Sequence, residues 1–313
     1  MYIGFILSAS IIKKKEYIQI ICKIIIFSAL FITIAPNYNP NFSYINYINV
    51  FHNTNHYGYF LMISTILSGF MFVKNTGIKK IIYLLIYIFL IYMLIYNDTF
   101  GCYLSLLIVL IFSLIYSIVK KYKIVNIIIL IVTFLLTSFI VSFTNIEIGG
   151  KIILQDTQKM VYNNFSVFSH DIKTIVNEES DLDTIGTGRG LLWKTAWNYT
   201  LEHPLIGGGM ECLNEYFKTH NAGYNDRPHN IILQFTSFIG IPGAIIYIIL
   251  IGYLAIINLK NLNKDTTYFM VYVSAMCYFI SSNFGNSMYY TSPYFMILLG
   301  FLISMQFTNS KET

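Results

Sequence analysis

Long apolar runs alternate with short polar segments along most of the chain. A helix needs about 20 mainly apolar residues to cross a bilayer, and eight runs approach or exceed that length: residues 17–35, 56–73, 81–96, 102–119, 124–143, 231–259, 267–282 and 293–307. The pattern predicts an all-α, polytopic integral membrane protein with about eight transmembrane helices. A further apolar segment, residues 1–12, is too short to cross alone, and we expect a re-entrant piece or the remnant of a longer helix.

One long polar interval, residues 144–230, separates the first five predicted spans from the last three. The chain is therefore expected to have three parts: membrane helices in 1–143, a large loop in 144–230 and membrane helices in 231–313. Within the loop, helical spacing of apolar residues predicts helices over 189–202 and about 211–219, and a third within 155–179. The first places Leu192, Ala196 and Tyr199 on one stripe and Trp193 with Trp197 on a neighbouring one.

Local signals predict how the outer loop connects to the next span. Gly207, Gly208 and Gly209 form a flexible turn that permits close backbone approach. Asp226 is the expected N-cap of the helix that contains the apolar run from Ile231, with Pro228 in its first turn, where a missing N–H costs nothing.

Composition excludes a water-soluble enzyme and the charge pattern predicts orientation. Only 11% of residues are charged and the mean hydropathy is +0.61, whereas soluble domains carry about 25% charged residues. The basic residues of the short loops all fall in alternate loops, and residues 36–55, 97–101 and 283–292 contain none. Because basic loops stay in the cytoplasm, residues 144–230 are expected outside, and the protein in the cytoplasmic membrane.

The net charge of +5 combines two regions of opposite sign. The outer segment has 7 basic and 11 acidic residues, whereas the cytoplasmic loops have 12 basic and 3 acidic ones. The basic excess therefore reflects topology and points to the bilayer as a partner. No basic run exceeds residues 13–15, so nucleic-acid binding is not expected.

The outer segment carries the candidate chemistry. Of the 20 basic residues, only Arg189 and Arg227 are arginine, and both lie there. A planar guanidinium suits bidentate contact with phosphate; the alternative is an ordinary salt bridge to the acidic loop. His229 follows Arg227 closely at the start of a predicted helix, and imidazole can take a proton from a hydroxyl near neutral pH.

Metal and cofactor sites are not expected. There is no His-x-x-x-His or paired-Cys spacing, and Asp181 with Asp183 is more typical of a solvated acidic turn than of a metal site. Cys212 is the only cysteine outside the predicted spans, so no disulfide is expected in the outer segment.

Several short motifs occur in a characteristic order. They are Gly188-Arg189, Trp193, residues 203–209 (HPLIGGG), Pro228-His229-Asn230 with Gln234, and earlier in the chain residues 53–58 (NTNHYG). Together with one large outer loop, this set resembles the O-antigen ligase and O-antigen polymerase superfamily. The resemblance implies a metal-independent membrane glycosyltransferase that transfers a glycan from undecaprenyl diphosphate to an acceptor hydroxyl on the outer face of the membrane.

The resemblance also implies roles for individual residues. By similarity, Arg189 would bind the diphosphate and His229 would lie at the reacting centre, as base or as a diphosphate contact. In our first hypothesis Arg227 also holds the diphosphate, His229 serves the acceptor hydroxyl, and Asn230 and Asn55 orient it. Trp193 or Trp197 would stack on sugar, or else pack the loop helix onto the bundle or the interface. Many relatives carry a Ser-Arg-Gly-like motif where this chain has residues 97–101 (NDTFG), so the phosphate clamp is either incomplete or completed by Arg227.

Two other functions stay open at this stage. A flippase for the same lipid-linked glycans is disfavoured, because ionisable residues within the spans are scarce and Lys23 is the main one. A non-catalytic membrane scaffold would leave the Arg and His positions indifferent to substitution. The expected partners are the lipid-linked oligosaccharide, an acceptor glycan or glycolipid and polysaccharide-assembly proteins. The sugar, the linkage and the choice between polymerase and ligase stay open.

Overall fold

The computed structural model describes residues 2–38, 51, 53–97, 99–143, 147–148, 151–152, 174, 183, 185–220, 227–285 and 290–309. These contain eleven α-helices: α1 (Tyr2–Ser10), α2 (Lys15–Tyr38), α3 (Thr54–Lys74), α4 (Gly77–Tyr96), α5 (Phe100–Lys120), α6 (Ile124–Phe143), α7 (Ile185–Glu202), α8 (Cys212–Thr219), α9 (Ile231–Leu259), α10 (Thr266–Ser282) and α11 (Ser292–Asn309). Two-residue strands, β1 (Glu147–Ile148) and β2 (Lys151–Ile152), pair antiparallel. Almost all of the helix predicted within residues 155–179 lies outside the described residues.

Six of these helices are long and apolar enough to cross a membrane, namely α2 to α6 and α9. The remaining two predicted spans also form helices, α10 with 17 residues and α11 with 18. The protein is an all-α polytopic membrane protein, as the hydrophobic pattern predicts.

The chain divides into two compact units. The first comprises residues 1–157, 254–281 and 288–313, and the second comprises residues 158–253 and 282–287. The three parts predicted from the sequence, with boundaries at residues 143 and 230, describe membrane topology and not packing. That division stays a prediction.

Helix α3 forms the centre of the first unit. Its side chains are buried without interruption from His56 to Val73, and α2, α4 and α5 pack against it. The buried residues include Ser64, Thr65 and Ser68, so protein and not lipid surrounds α3 on all sides. At the edge of this unit α1 packs on α11, where Gly300 permits contact: a Cβ there would lie 2.5 Å from the carbonyl oxygen of Ile6.

The lysine-bearing ends of several helices meet in the first unit. Lys15 forms an ion pair with Asp265 at 3.6 Å, and Lys74 Nζ donates to Thr267 Oγ1 at 3.3 Å. The hydroxyl oxygen of Tyr122, in the α5–α6 loop, lies 2.8 Å from Thr266 Oγ1. The basic loops are thus gathered at one end, as their alternation along the chain requires.

In the second unit, α7 and α8 share a small apolar core. Leu192, Ala196 and Tyr199 of α7 pack with Leu213 and Phe217 of α8, and Phe238 of α9 completes the cluster. The stripe predicted for the first outer helix is therefore confirmed. Both predicted helices are also confirmed, with starts that differ from the predicted ones by one to four residues.

Helix α9 is broken near its first third, a feature that its uninterrupted apolar sequence conceals. Gly240 has φ 76° and ψ 171°, and Pro242 follows inside the helix. Proline has no N–H to donate to the carbonyl four residues earlier, which is that of Phe238. The turn at Gly240 likewise prevents the N–H of Ile241 from donating a hydrogen bond to the carbonyl of Ser237.

A loop between α7 and α8 satisfies the groups that this break exposes. We call residues 203–210 the clamp loop. Gly208 N–H donates to Ser237 O at 2.9 Å, Gly209 N–H donates to Phe238 O at 3.0 Å, and Ile241 N–H donates to Pro204 O at 2.8 Å. Broken helices are tolerated in membrane proteins when neighbouring groups take over the freed hydrogen bonds in this manner.

Glycine is required on both sides of this contact. A Cβ on Gly240 would lie 2.5 Å from the carbonyl carbon of Leu205, and one on Gly207 would lie 2.5 Å from the carbonyl carbon of Phe238. The close backbone approach predicted for residues 207–209 is confirmed. The glycines are held by hydrogen bonds, however, and do not form the flexible turn that their sequence suggests.

We predict that Gly240→Ala destabilises the protein by more than about 2 kcal/mol. Its backbone conformation is almost exclusive to glycine, and the added methyl group collides with the clamp loop. Gly252→Ala in the same helix is the matched control, because nothing lies within 4 Å of a Cβ there, and alanine favours a helix by about 1 kcal/mol. Thermal unfolding of the detergent-purified variants measures both. Equal melting temperatures would show that the break is not rigidly packed.

Candidate active site

Asn230 forms the cap at the start of α9. Its Oδ1 accepts hydrogen bonds from the N–H groups of Ile232 at 3.0 Å and Leu233 at 3.1 Å, and its Nδ2 donates to Asn283 O at 3.3 Å. The expectation that Asp226 caps this helix and that Pro228 lies in its first turn is wrong, since α9 begins at Ile231. Asp226 itself lies outside the described residues.

The physical reason for the later start is the backbone of His229. Its φ of 53° is in the left-handed region, which a right-handed helix cannot accommodate and which costs a non-glycine residue about 1–2 kcal/mol. Strained residues of this kind cluster at functional sites. His229 is half-buried with a buried Nδ1 atom, next to the positive end of the α9 dipole.

A polar contact joins α7 to α9. Thr200 Oγ1 lies 3.1 Å from Thr236 Oγ1 and 3.3 Å from Ser237 Oγ, and Ser237 Oγ donates to the carbonyl of Ala196 at 3.3 Å. Four residues further along each segment, Pro204 O accepts from Ile241 N–H. Thr200 and Pro204 thus contact α9 on either side of its break, at Thr236 and Ser237 and at Ile241.

Several candidate residues precede this contact in the chain. Trp193 precedes Thr200 by two helical turns and Asn230 precedes Ser237 by the same interval, so each is about 10 Å from the contact along its helix. Arg189 lies one further turn upstream on α7. All of the candidates except Asn55 belong to the second unit: Arg189, Trp193, Trp197, Arg227, His229 and Asn230.

The candidate side chains differ in exposure. Arg189 and Arg227 are half-buried, as is Trp193, whereas Trp197 is 44% exposed. The aliphatic part of Arg189 packs over Gly186. A Cβ built on Gly186 would lie 3.4 Å from the Cβ of Arg189. Asn55 lies in the first unit, in the first turn of α3, where its N–H donates to Asn53 Oδ1 at 2.7 Å.

Gln234 is a candidate that the sequence reasoning did not assign. It is 6% exposed, and within the described residues its Oε1 has no hydrogen-bond partner; the same holds for Trp193 Nε1. A buried polar atom without a partner costs about 1–3 kcal/mol. The available signal was its spacing, because a residue four positions after Asn230 lies on the same face of a helix.

A polar network connects the α4–α5 turn with the start of α3. Asn97 Nδ2 donates to Thr54 O at 2.8 Å and to Thr99 Oγ1 at 2.6 Å. Gly58 accommodates this network, since a Cβ there would lie 2.5 Å from Thr99 Oγ1. Within the first unit these residues serve to join α3 to the α4–α5 turn and supply no cation. Asp98 lies outside the described residues.

Other reactive groups of the second unit have structural surroundings. Burial raises the pKa of the Cys212 thiol, which opposes formation of a nucleophilic thiolate. Asp183 forms an exposed ion pair with Lys194 at 3.5 Å, consistent with a solvated acidic turn. The described part of the chain contains no group of three or more His, Cys, Asp or Glu residues that could hold a metal ion.

Comparison with known proteins identifies the family. The model of the O-antigen ligase family matches residues 84–248, which is more than half of the 313 residues. The chain belongs to the O-antigen ligase family. No curated protein matches it.

The matched region defines what O-antigen ligase membership covers. It includes α7, the clamp loop, the α9 cap and the break at Gly240, but it begins after Asn55. Membership makes this a multi-pass membrane enzyme of the ligase or polymerase type. The residues of the second unit named above therefore lie within the part of the chain that carries the family relationship.

The cap predicts a graded response to substitution at Asn230. Asn230→Ala removes both capping acceptors and should lower the free energy of unfolding by about 1 kcal/mol. Asn230→Asp keeps the acceptors and adds a negative charge at the helix N-terminus, so it should retain most of the stability. Thermal denaturation distinguishes the two. Equal loss in both variants would assign the stability to the Asn283 contact instead.

Proposed function

We propose that this protein is a glycosyltransferase that transfers or polymerises oligosaccharide from undecaprenyl diphosphate onto an acceptor hydroxyl at the outer face of the cytoplasmic membrane. The observation that carries the proposal is the family match over residues 84–248, which contains both arginines and the strained histidine. The products in view are O-antigen, capsule or exopolysaccharide. Orientation rests on the lysine-bearing loops, which are assigned to the cytoplasm.

The donor diphosphate requires positive charge that is already in place. Arg189 on α7 and Arg227 beside the α9 cap are both half-buried, so each retains more electrostatic strength than a fully solvated side chain. Guanidinium groups contact phosphate oxygens through paired hydrogen bonds. Charge that develops on the leaving diphosphate would be stabilised by these two groups and by the positive end of the α9 dipole.

His229 is the proposed base for the acceptor. Its left-handed backbone holds the residue outside the helix, next to the capped N-terminus. An imidazole at this position can accept a proton from a hydroxyl near neutral pH. Asn230, whose side chain is engaged by α9 and Asn283, would act on the acceptor by fixing the position of His229.

The proposed reaction is a single displacement at the anomeric carbon. The acceptor oxygen forms a bond to that carbon as the bond from carbon to the diphosphate oxygen breaks. The bonding pair leaves with the diphosphate, and the acceptor proton passes to His229. The expected result is inversion of configuration at the anomeric carbon and release of undecaprenyl diphosphate.

Four further side chains are proposed to bind the glycan or the acceptor. Trp193 Nε1 and Gln234 Oε1, a buried donor and a buried acceptor, lack partners among the described residues, and sugar hydroxyls can satisfy both. Trp197 is exposed and can stack on a sugar or lie at the membrane interface. Asn55 is retained as a candidate acceptor contact on the family resemblance alone.

We predict that Arg189→Lys and His229→Ala abolish polymer extension or transfer in cells that express normal amounts of protein. Loss of one preorganised donor costs about 100-fold in rate or more, and loss of a general base costs a similar factor. Lipid-linked oligosaccharide should accumulate on the outer leaflet. Gel analysis of surface glycan and extraction of lipid-linked sugars measure the two effects.

Matched controls come from exposed residues of the same unit. Lys218→Ala removes a cation that pairs only with Glu215 in the described structure, and His220→Ala removes an exposed imidazole; both should keep normal glycan length. Normal glycan in Arg189→Lys and His229→Ala would refute the catalytic roles. Accumulation on the cytoplasmic leaflet would favour a flippase.

We also expect transfer to proceed without a divalent metal ion. In the proposed reaction arginine and the helix dipole replace the metal that many glycosyltransferases use to hold a diphosphate. Transfer by membranes treated with EDTA should equal that of untreated membranes. A loss of transfer that Mg²⁺ or Mn²⁺ restores would contradict this mechanism.

A further inference from the structure

The tip of the clamp loop is strongly apolar and exposed. Leu205 is 73% exposed, Ile206 is 83% exposed and Met210 is 84% exposed. Exposed clusters of large apolar side chains mark surfaces that bind a protein or a membrane. We propose that these three side chains insert into the bilayer, where they are covered by lipid acyl chains.

The first support is the surface that continues from the tip along α9. Before the break, α9 faces protein, with Ile231, Gln234, Thr236, Ser237 and Phe238 buried. After the break, its large side chains are exposed and almost uniformly apolar: Ile245, Ile246, Ile248, Ile249, Leu250, Tyr253 and Ile256. In a polytopic membrane protein this second surface faces lipid. The clamp loop is hydrogen-bonded to the point where that surface begins.

The length of α9 gives the same boundary independently. The helix has 29 residues, or about 43 Å, which exceeds a hydrocarbon core of about 30 Å. Lys260 and Lys264 follow its end and mark one membrane surface. From Leu259 back to Pro242 the helix covers about 27 Å, so the break and the clamp loop lie at the opposite surface of the hydrocarbon core.

Part of the loop backbone meets a condition for entering lipid. Polar main-chain groups in hydrocarbon need internal partners. The N–H groups of Gly207, Gly208 and Gly209 donate to His203, Ser237 and Phe238, respectively, and Pro204 has no N–H. These four positions therefore lose no N–H hydrogen bond to water when the side chains at the tip are immersed, and a shallow position leaves the rest of the loop backbone close to water.

The exposed face of α7 shows how deep the insertion is. Lys194, Trp197 and Asn198 are exposed in its middle, and Leu201 is exposed closer to the tip. Tryptophan favours the headgroup level. Exposed Glu202 and Glu211 flank the loop, and carboxylates stay in water. Insertion is therefore shallow and limited to Leu205, Ile206 and Met210.

Depth-dependent quenching of a thiol-attached fluorophore tests the proposal on the full chain in lipid vesicles. The label is placed at Ile206→Cys, with Met210→Cys as a second tip position and Asn214→Cys, exposed on α8, as the aqueous control. The unsubstituted chain measures background labelling, which is expected to be small because Cys22, Cys102 and Cys277 are buried and burial raises the pKa of Cys212.

Labels at residues 206 and 210 should be quenched several-fold more strongly by nitroxide-bearing acyl chains than the label at residue 214. Iodide in the aqueous phase should show the opposite order. Iodide quenching at the tip equal to that at residue 214 would overturn the proposal. Tip labels shielded from both quenchers would also overturn it, since a second protein surface would then cover the loop.

Discussion

The hydrogen bonds between the clamp loop and the broken part of α9 are the constraint on which the second unit depends. Pro242 and Gly240 leave the carbonyls of Ser237 and Phe238 and the N–H of Ile241 without helical partners. Gly208, Gly209 and Pro204 supply the missing partners at 2.8–3.0 Å. Because an unpaired backbone group is most expensive in a non-aqueous environment, this arrangement fixes α7 to α9 more firmly than side-chain packing alone would.

The same constraint organises the proposed chemistry. It joins the end of α7 to the first third of α9, so that Arg189 and Trp193 precede the shared contact on α7 and His229 precedes it at the start of α9. The Asn230 cap then terminates α9 and leaves His229 in a strained left-handed conformation beside the helix N-terminus. The proposed cation Arg189 lies on α7, and the proposed base His229 adjoins the capped N-terminus of α9.

The sequence predicts most of the secondary structure because apolar periodicity is strong and local. The membrane helices and the stripe of Leu192, Ala196 and Tyr199 follow from spacing alone. Hydrophobic periodicity does not predict the break in α9, because isoleucines flank it on both sides. Gly240 and Pro242 are the sequence features that indicate it. Asp226 was a reasonable cap by composition, but the conformation of His229, which depends on tertiary contacts, moved the start of the helix to Ile231.

The candidate site is less predictable than the fold. Both arginines stand out because composition favours lysine elsewhere, and His229 stands out beside Arg227 at a predicted helix start. Gln234 belongs to the sequence motif, but only its burial and its unsatisfied oxygen make it a candidate for glycan binding. The lack of a hydrogen-bond partner for its side-chain oxygen depends on which helices pack together. Local residue spacing does not predict the packing of helices that are tens of residues apart in the chain. The hydrogen bonds of Asn97 and Thr99 similarly show what these residues do where the chain has no arginine. No sequence motif predicts these hydrogen bonds.

The most direct test of the account is a disulfide across the α7–α9 contact. Thr200→Cys and Thr236→Cys, combined in a Cys212→Ser background, replace hydroxyl groups whose oxygens are 3.1 Å apart, a spacing compatible with a disulfide after small adjustments. We predict that mild oxidation of the folded protein in membranes forms an intramolecular disulfide between positions 200 and 236. Recovery of both thiols after denaturation, with no cross-linked peptide, would contradict the pairing of these helices and with it the proposed site.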